Sequence, residues 1–346
     1  MTGAAADYVL VILSSGVGAA VLSLGALAVL RRHHAGARIV AVAGPDNAAF
    51  VGATPFVDEV IVDGGAPWWK LPDILRLRRV LTAHAYARVY DLSDGARSEL
   101  LMRALYGWPL GANRRARLPW SGGAAGTALS HTHPNRAAMH LIDRLADQLK
   151  SAGVVEPAPP ELAWVARQVQ SFTTPFRMSA PYVLLGADPG PRGAWPAATV
   201  AATAEWVAAN GLIPVLAGLH PQPRLAETVR EAAPSAVDIT GQAPVGDLVF
   251  LAWGADMAIG PDSGLMTLVA TAGCRSVILC DAGSDPALHG PRGTHIAFVR
   301  RNALADVRLG EVVALVGARL RANAATGAAG AMPDPHPGGE RARSGA

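Results

Sequence analysis

Short apolar runs alternate with longer helical stretches along this chain, and the alternation constrains its fold more than any other feature. Most of the runs are apolar on both faces, which is typical of parallel strands buried between two layers of helices. We therefore predict an α/β fold with parallel sheets. The predicted strands are residues 8–13, 39–43, 59–62, 88–91, 182–186, 213–217, 237–239, 257–259 and 276–279.

The predicted strands form two sets, and the segment between them, residues 113–181, has no clear strand. Its Pro-rich residues 156–160 favour an interpretation as the end of a first domain and a linker. A chain of 346 residues also suits two domains better than one core. The predicted segments are a domain over 1–160, a domain over 161–322 and a disordered tail over 323–346. Paired α/β domains typically hold their substrate in the cleft between them.

The apolar stretch 8–30 has two interpretations. It carries no charge and precedes two arginines, so hydropathy alone allows a membrane anchor. Gly16 and Gly18 interrupt the stretch, however, and residues 38–44 begin a second strand at the distance expected of a βαβ unit. The stretch is also too long for the core of a signal peptide. The pattern therefore favours a βαβ unit.

The charge balance argues against a nucleic-acid partner. The 30 basic residues exceed the 27 acidic ones by only three and are spread along the chain. Local clusters at 31–32, 76–79 and 114–117 are interpreted as solvated helix faces, with contact with an anionic membrane surface or acidic acceptor as the alternative. Two cysteines, Cys274 and Cys280, exclude a disulfide framework and are too few for a zinc site. We expect both to be inert core residues in a reducing cytoplasm.

Residues 256–273 combine a short strand, a Gly-Pro turn, a helix start at Asp262, Ser263 and Gly264, and an apolar helix closed by Gly273. Such a helix start presents unpaired backbone N–H groups and the positive end of the helix dipole, which suits a phosphate. Asp262 or Ser263 alone would also cap the helix, a contribution of about 1 kcal/mol. The two interpretations are compatible.

Five segments, in this order along the chain, resemble the lipopolysaccharide heptosyltransferases of glycosyltransferase family 9. The first is 9–30, which is similar to the family's opening strand, glycine loop and helix. The others are 55–60, similar to NPYVDEV; 91–98, similar to DLQGxxRS; 195–196, at the position of KxWP; and 260–273, similar to GxDTGxxHLAAALG with Ser in place of Thr. The resemblance extends from residue 8 to about residue 320.

The resemblance implies the GT-B fold, in which two Rossmann-like, doubly wound domains face a central cleft. The N-terminal domain would bind a glycan or glycolipid acceptor, and the C-terminal domain a nucleotide-diphosphate sugar, with an ADP-sugar favoured. The implied reaction moves a heptose-like sugar to a cell-envelope glycan such as lipopolysaccharide core, with inversion and without a cofactor or metal. The implied location is the bacterial cytoplasm, with peripheral contact with the inner membrane as an option. The residues carried over are Arg192, Asp262, Ser263, Gly264 and Thr267 for the donor, and Ser15, Gly16 and Gly18 for the acceptor loop.

Three positions depart from the family pattern. Ala19 stands where the family has the Asp proposed as general base, Gly193 where it has a donor-binding Lys, and Thr267 where it has a His. Arg192, next to Gly193, can bind a diphosphate with two parallel hydrogen bonds. Asp94 is the nearest carboxylate by motif that could replace the base, although an Asp before a Gly is also typical of a turn.

Other interpretations stay open. Loss of three functional side chains is compatible with a catalytically inactive GT-B homologue that binds a nucleotide or glycan, or that scaffolds a partner enzyme. The Gly-Val-Gly of residues 16–18 resembles part of a dinucleotide fingerprint, but Val21 replaces its third glycine, so a nicotinamide site is disfavoured. His131, His133 and His140 could suggest a metal, but they lie in an irregular segment.

Overall fold

The structure, a computed structural model, describes residues 8–93, 95–106, 118–123, 129–154, 160, 162–168 and 180–326. The chain divides into two compact units. Residues 1–160 and 285–291 form the first unit, and residues 161–284 and 292–346 form the second. Each unit is built around one parallel sheet.

The first unit contains a sheet of six short strands. They are β1 Tyr8–Ile12, β2 Arg38–Ala43, β3 Glu59–Val62, β4 Tyr86–Asp91, β5 Trp120–Gly122 and β6 Leu129–Ser130. The helices described between and after them are α1 Val17–Leu22, α2 Leu24–His33, α3 Ala48–Ala53, α4 Leu71–Leu81, α5 Ala96–Leu105 and α6 Leu141–Ser151. The sheet order is β3-β2-β1-β4-β5-β6, and every neighbouring pair is parallel.

The second unit repeats this plan. Its strands are β7 Tyr182–Gly186, β8 Ile213–Ala217, β9 Val237–Asp238, β10 Met257–Pro261, β11 Ser276–Cys280 and β12 Ile296–Arg300. The remaining described helices are α7 Ala163–Gln168, α8 Ala197–Ala209, α9 Pro223–Ala232, α10 Val245–Gly254, α11 Gly264–Thr271, α12 Pro286–His289 and α13 Leu309–Thr326, of which α12 belongs to the first unit. The sheet order is β12-β11-β10-β7-β8-β9, again parallel throughout.

Both sheets have the same strand order when the strands of each unit are numbered from one to six. That order is 3-2-1-4-5-6, the arrangement of a Rossmann-like, doubly wound sheet. In such a sheet the order reverses between strands one and four, and ligands bind in the crevice beyond the carboxyl ends of those strands. The reversal lies between β1 and β4 in the first unit and between β7 and β10 in the second.

The predicted α/β fold with parallel sheets is confirmed, and all nine predicted strands are present. The prediction missed β5 and β6, whose sequences Trp-Ser-Gly and Leu-Ser contain no apolar run, and the edge strand β12. Residues 113–181 are therefore more than a domain end and a linker, because they contain β5, β6, α6 and α7. The last helix reaches Thr326, beyond the predicted domain end at 322, and residues 327–346 of the predicted tail lie outside the described residues.

The apolar stretch 8–30 lies in the core of the first unit, as the βαβ interpretation requires. β1 pairs with β2 on one side and β4 on the other. The side chains of Leu10, Leu27 and Leu30 are completely buried. No helix in the described part of the chain is both long and apolar enough to cross a membrane.

Both cysteines are free thiols inside the second unit. Burial raises the pKa of Cys274 and of Cys280 to about 12. Both thiols are therefore protonated at neutral pH, and a thiol is a poor nucleophile compared with a thiolate. This agrees with their prediction as inert core residues.

His34, the residue that follows α2, is held uncharged in the folded protein. Its Nε2 lies 3.0 Å from the hydroxyl of Tyr90, which also accepts a hydrogen bond from Arg88 at 3.1 Å. Burial, followed by the positive charges of His33, Arg88 and Arg31, lowers the pKa of His34 from 6.5 to about 4. Between these two values the unfolded chain binds more protons at this position than the folded protein does.

We predict that the free energy of unfolding falls as the pH drops from about 6.5 to about 4, because protonation of His34 favours the unfolded chain. His34→Gln should flatten this part of the profile, whereas His289→Gln, at an exposed position, should leave it unchanged. Urea unfolding at several pH values across the range measures the effect. An equal slope in the His34 variant and the wild type would contradict the prediction.

Candidate functional site

The first turn of α11 lies at the carboxyl edge of the second unit's sheet. Ser263 precedes the helix in an extended conformation, and its Oγ accepts a hydrogen bond from the N–H of Met266 at 3.4 Å. Its carbonyl accepts from the N–H of Thr267 at 3.0 Å and from the Thr267 hydroxyl at 3.1 Å. The first amide N–H groups of a helix have no partner within it, so those of Gly264 and Leu265 are available for an anion.

Two glycines allow the first turn of α11 to pack closely on the sheet. A Cβ atom added to Gly260 on β10 would lie 2.8 Å from the Cα of Gly186 on β7, and one added to Gly186 would lie 3.1 Å from the Sδ of Met266. The two strands and the first turn of the helix therefore pack together only because neither glycine has a side chain. Asp262, between β10 and α11, also donates its N–H to the carbonyl of Leu279 on β11 at 2.8 Å.

We predict that Gly260→Ala destabilises the protein by about 1–3 kcal/mol, the usual cost of overpacking a core. The added methyl group has backbone rather than a flexible side chain in its way. The control is Gly310→Ala on α13, where an added Cβ meets nothing within 4 Å. Denaturant unfolding of both variants gives the comparison, and equal midpoints would refute the assigned role of Gly260.

The turn that carries Arg192 follows β7 and is closed tightly. Gly190 and Gly193 exchange two backbone hydrogen bonds, at 2.8 and 3.3 Å. Asp281, which is only 2% exposed, accepts from the N–H of Arg192 at 2.9 Å and from the N–H of Gly283 at 2.7 Å. The carboxylate therefore ties the turn after β7 to the turn after β11.

This tie brings Arg192 toward Ser263. In the sheet β10 lies between β7 and β11, so a turn that leaves β7 and bonds to the residues after β11 passes the carboxyl end of β10. The aliphatic part of Arg192 lies over Gly283, while its side chain as a whole is exposed. Its guanidinium makes no hydrogen bond or ion pair with any described residue. It can therefore bind an anion next to the start of α11.

The backbone conformation at Gly193 accounts for one of the three departures from the family pattern, the absence of a Lys at this position. Its φ of +152° is one that residues with a side chain rarely adopt. A lysine at this position would strain the turn. The turn can instead carry a cation at Arg192, one residue earlier, without strain at Gly193.

Asp188, to which the sequence assigned no role, ties the loop after β7 to the loop after β8. It is 5% exposed, and both of its carboxylate oxygens accept from the N–H of Leu219, at 3.1 and 2.9 Å. Burial raises its pKa despite these bonds. Asp188 and Asp281 were both missed as positioning residues. The sequence offered one signal for both residues, namely an Asp that follows closely after the end of a predicted strand.

The β1–α1 loop, at the carboxyl edge of the first unit's sheet, contains the expected acceptor residues. Ser15 and Gly16 are exposed, whereas Gly18 and Ala19 are partly buried in the first turn of α1. Gly16 occupies the N-cap position with extended backbone, and no side chain caps the helix. The alanine side chain at position 19 cannot accept a proton.

Two residues missed by sequence analysis hold this loop. Asn47 is completely buried, and its Nδ2 donates to the carbonyl of Ser14 at 2.6 Å and to that of Gly16 at 3.3 Å. A Cβ added to Gly44 would lie 2.6 Å from the Cβ of Ser15. The loop after β2 is therefore packed closely against the loop after β1.

Polar side chains at both ends of segment 91–98 hydrogen-bond to one another. Asp91 is buried and accepts from the hydroxyls of Ser93 and Ser98, at 2.8 and 3.0 Å. Arg97 pairs with Asp63, which follows β3. Asp94, the candidate for the general base, lies outside the described residues.

The histidines weighed as metal ligands have other partners. His131 pairs with Asp147, and the Nε2 of His140 lies 2.8 Å from the carbonyl of Gly290. His133 is exposed. Within the described ranges there is no group of three or more side chains of His, Cys, Asp or Glu that could hold a metal ion.

Two Rossmann-like units, with a phosphate-type helix start in the second, are the architecture of a GT-B transferase. The sequence profile of glycosyltransferase family 9 (heptosyltransferase) matches residues 74–306, about two thirds of the chain. The chain belongs to this family. No curated protein matches it.

Solved structures of the family share its fold. The family 9 glycosyl transferase from Veillonella parvula DSM 2008 has a TM-score of 0.71 and 19% identity, over 91% of this chain and 98% of its own. The ADP-heptose lipopolysaccharide heptosyltransferase II of E. coli has a TM-score of 0.69 and 17% identity, over 92% and 99%. The E. coli heptosyltransferase WaaC with ADP has a TM-score of 0.68 and 17% identity, over 90% and 99%. The predicted GT-B fold is thereby confirmed.

Proposed function

We propose that this protein transfers a heptose-like sugar from a nucleotide-diphosphate donor, in particular an ADP-sugar, to a cell-envelope glycan such as lipopolysaccharide core. The observation that carries the proposal is the start of α11, whose unpaired N–H groups and Ser263 lie at the same sheet edge as the exposed Arg192. Family membership supports the reaction class. The structures of E. coli WaaC with ADP and with ADP-2-deoxy-2-fluoro heptose support the choice of donor.

The donor residues act on the leaving diphosphate. As the bond between the anomeric carbon and the diphosphate oxygen breaks, negative charge grows on the diphosphate. The N-terminus of α11 carries about half a positive charge, and the N–H groups of Gly264 and Leu265 donate to the phosphate oxygens. Ser263 contributes its hydroxyl, and Arg192 contributes two parallel hydrogen bonds with full charge. Thr267 positions Ser263 through the hydrogen bond to its carbonyl.

The acceptor residues lie on the first unit. The loop of Ser15, Gly16 and Gly18 contacts the acceptor, whose hydroxyl oxygen attacks the anomeric carbon on the face opposite the diphosphate and so inverts it. The hydroxyl proton must leave during this step, and Ala19 cannot accept it. Asp94, the carboxylate nearest by motif, is our candidate for the group that accepts it. A glycan acceptor of this kind is part of a membrane, so the proposal includes peripheral contact with the inner membrane from the cytoplasmic side.

The donor site is tested by calorimetric titration with ADP. Ser263→Ala and Arg192→Ala should each weaken ADP binding about tenfold or more, the usual effect of removing a hydrogen bond to a charged group. The matched controls are Ser235→Ala and Arg230→Ala. Both residues are exposed and lie between the end of α9 and the start of β9 or in the last turn of α9, at the amino ends of the strands and away from α11. Both variants should bind ADP like the wild type. Equal affinity in all four variants would refute the site.

The base is tested by turnover with an ADP-heptose donor and a lipopolysaccharide-core acceptor. Asp94→Asn should lower kcat by about 10²–10⁴-fold, the range of general base catalysis, with unchanged ADP affinity. Glu99→Gln, at an exposed carboxylate on α5, should retain full activity. ADP binding without transfer to any acceptor would instead support the catalytically inactive homologue.

A further inference from the structure

The exposed apolar side chains of this protein are concentrated in one segment. Among the described residues, seven large apolar side chains are strongly exposed, and six of these lie within residues 62–80. Four of them, Trp68, Trp69, Leu71 and Leu75, follow one another along the loop before α4 and one exposed side of the helix, and they form a Trp-Leu surface. Trp68 and Trp69 are 61% and 65% exposed. Contiguous exposed apolar side chains of this size mark an interaction surface.

The geometry of α4 explains how the surface is built. The helix packs onto its own unit through Ile74 and Leu81, which are buried. Leu71 and Leu75 lie one turn apart on the exposed side, and Arg79 lies one turn further along the same row. This row therefore changes from apolar to basic along the helix, which is about 16 Å long.

The Trp-Leu surface lies in a strongly basic segment. Residues 66–82 carry four basic side chains against one acidic, a net charge of +3, which equals the net charge of the whole chain. The acidic residue, Asp73, pairs with Arg76 at 3.1 Å, and such exposed pairs contribute little. Lys70 and Arg79 are exposed and form no ion pair with a described residue.

An anionic phospholipid bilayer is complementary to this surface in both hydrophobicity and charge. Tryptophan rings favour the headgroup region, where the apolar part is buried and the N–H stays hydrated. Segments that lie in a membrane interface combine Trp and Leu with Lys and Arg, and anionic headgroups attract the basic side chains. A protein partner fits less well, because lysine is depleted at protein interfaces.

The surface also lies near the proposed acceptor loop. Residues 63–70 leave the carboxyl end of β3, and Ser15 and Gly16 follow the carboxyl end of β1 in the same parallel sheet. Both segments therefore emerge at the same edge of the first unit. A bilayer bound at Trp68 and Trp69 would place its headgroups at this edge.

We propose that the Trp-Leu surface, together with Lys70 and Arg79, docks the protein on an anionic phospholipid bilayer and so presents a lipid-linked glycan to the β1–α1 loop. The presentation of the acceptor rests on the proposed function. The docking itself depends only on the exposed side chains of the Trp-Leu surface and of Lys70 and Arg79.

The experiment is co-sedimentation of the full chain with vesicles of phosphatidylcholine alone or mixed with phosphatidylglycerol. The wild type should bind the anionic vesicles at least tenfold more strongly, and added salt should weaken this binding. The double variant Trp68→Ser/Trp69→Ser should lose at least tenfold. The double variant Lys70→Gln/Arg79→Gln should lose about fivefold for each charge removed.

Matched controls separate docking from general changes in the protein. Phe298→Ser removes the exposed apolar side chain outside the segment, and Arg224→Gln/Arg230→Gln removes two exposed charges on α9. Both controls should bind vesicles like the wild type, and every variant should keep its melting temperature and its ADP affinity. Unchanged ADP affinity in the docking variants would show that bilayer docking and donor binding are separate properties.

Three outcomes would overturn the docking proposal. The first is no binding of the wild type to anionic vesicles, and the second is equal binding by all variants. The third is a dimer in sedimentation velocity that the Trp68→Ser/Trp69→Ser variant dissociates, without vesicle binding by the wild type, since a second copy would then cover the surface. Vesicle binding without ADP binding would support docking and count against the proposed function alone.

Discussion

The close approach of β7 and β10 at Gly186 and Gly260 is the constraint on which the second unit depends. Because neither residue has a side chain, Met266 packs directly over the two strands and fixes the position of the first turn of α11. The directions of its unpaired N–H groups and of the helix dipole follow from that packing. The assigned donor chemistry is therefore a consequence of backbone contact in the sheet as well as of polar side chains.

Buried polar side chains behind the exposed ones hold both sites in shape. Asp281 bonds to the backbone next to Arg192, and Asn47 bonds to the backbone on either side of Ser15. A buried carboxylate or amide must be hydrogen-bonded, and each bond it makes removes an alternative loop conformation. The exposed side chains are thus positioned by residues that never contact a ligand. Because Asp281 holds the backbone of the turn, the turn presents a cation at Arg192 although the family's Lys position is occupied by Gly193.

Much of the fold follows from local pattern. The nine predicted strands and the start of α11 at Ser263 depend on residues within a few positions of one another, so a single sequence carries the signal. β5 and β6 left no such signal, because Trp-Ser-Gly and Leu-Ser contain no apolar run and become strands through pairing with their neighbours. The same holds for Asp281, whose bond to Arg192 joins residues 89 positions apart.

The sequence by itself determined the α/β class, the two sets of strands, the family resemblance and the residues at the start of α11. Only the tertiary structure decided that both sheets have the order 3-2-1-4-5-6, that the turns after β7 and β11 are joined, and that Trp68 and Trp69 stay exposed. The physical reason is that periodicity records which face of an element is apolar. Which elements become neighbours, and which apolar side chains are left uncovered, depends on contacts between residues far apart in the chain.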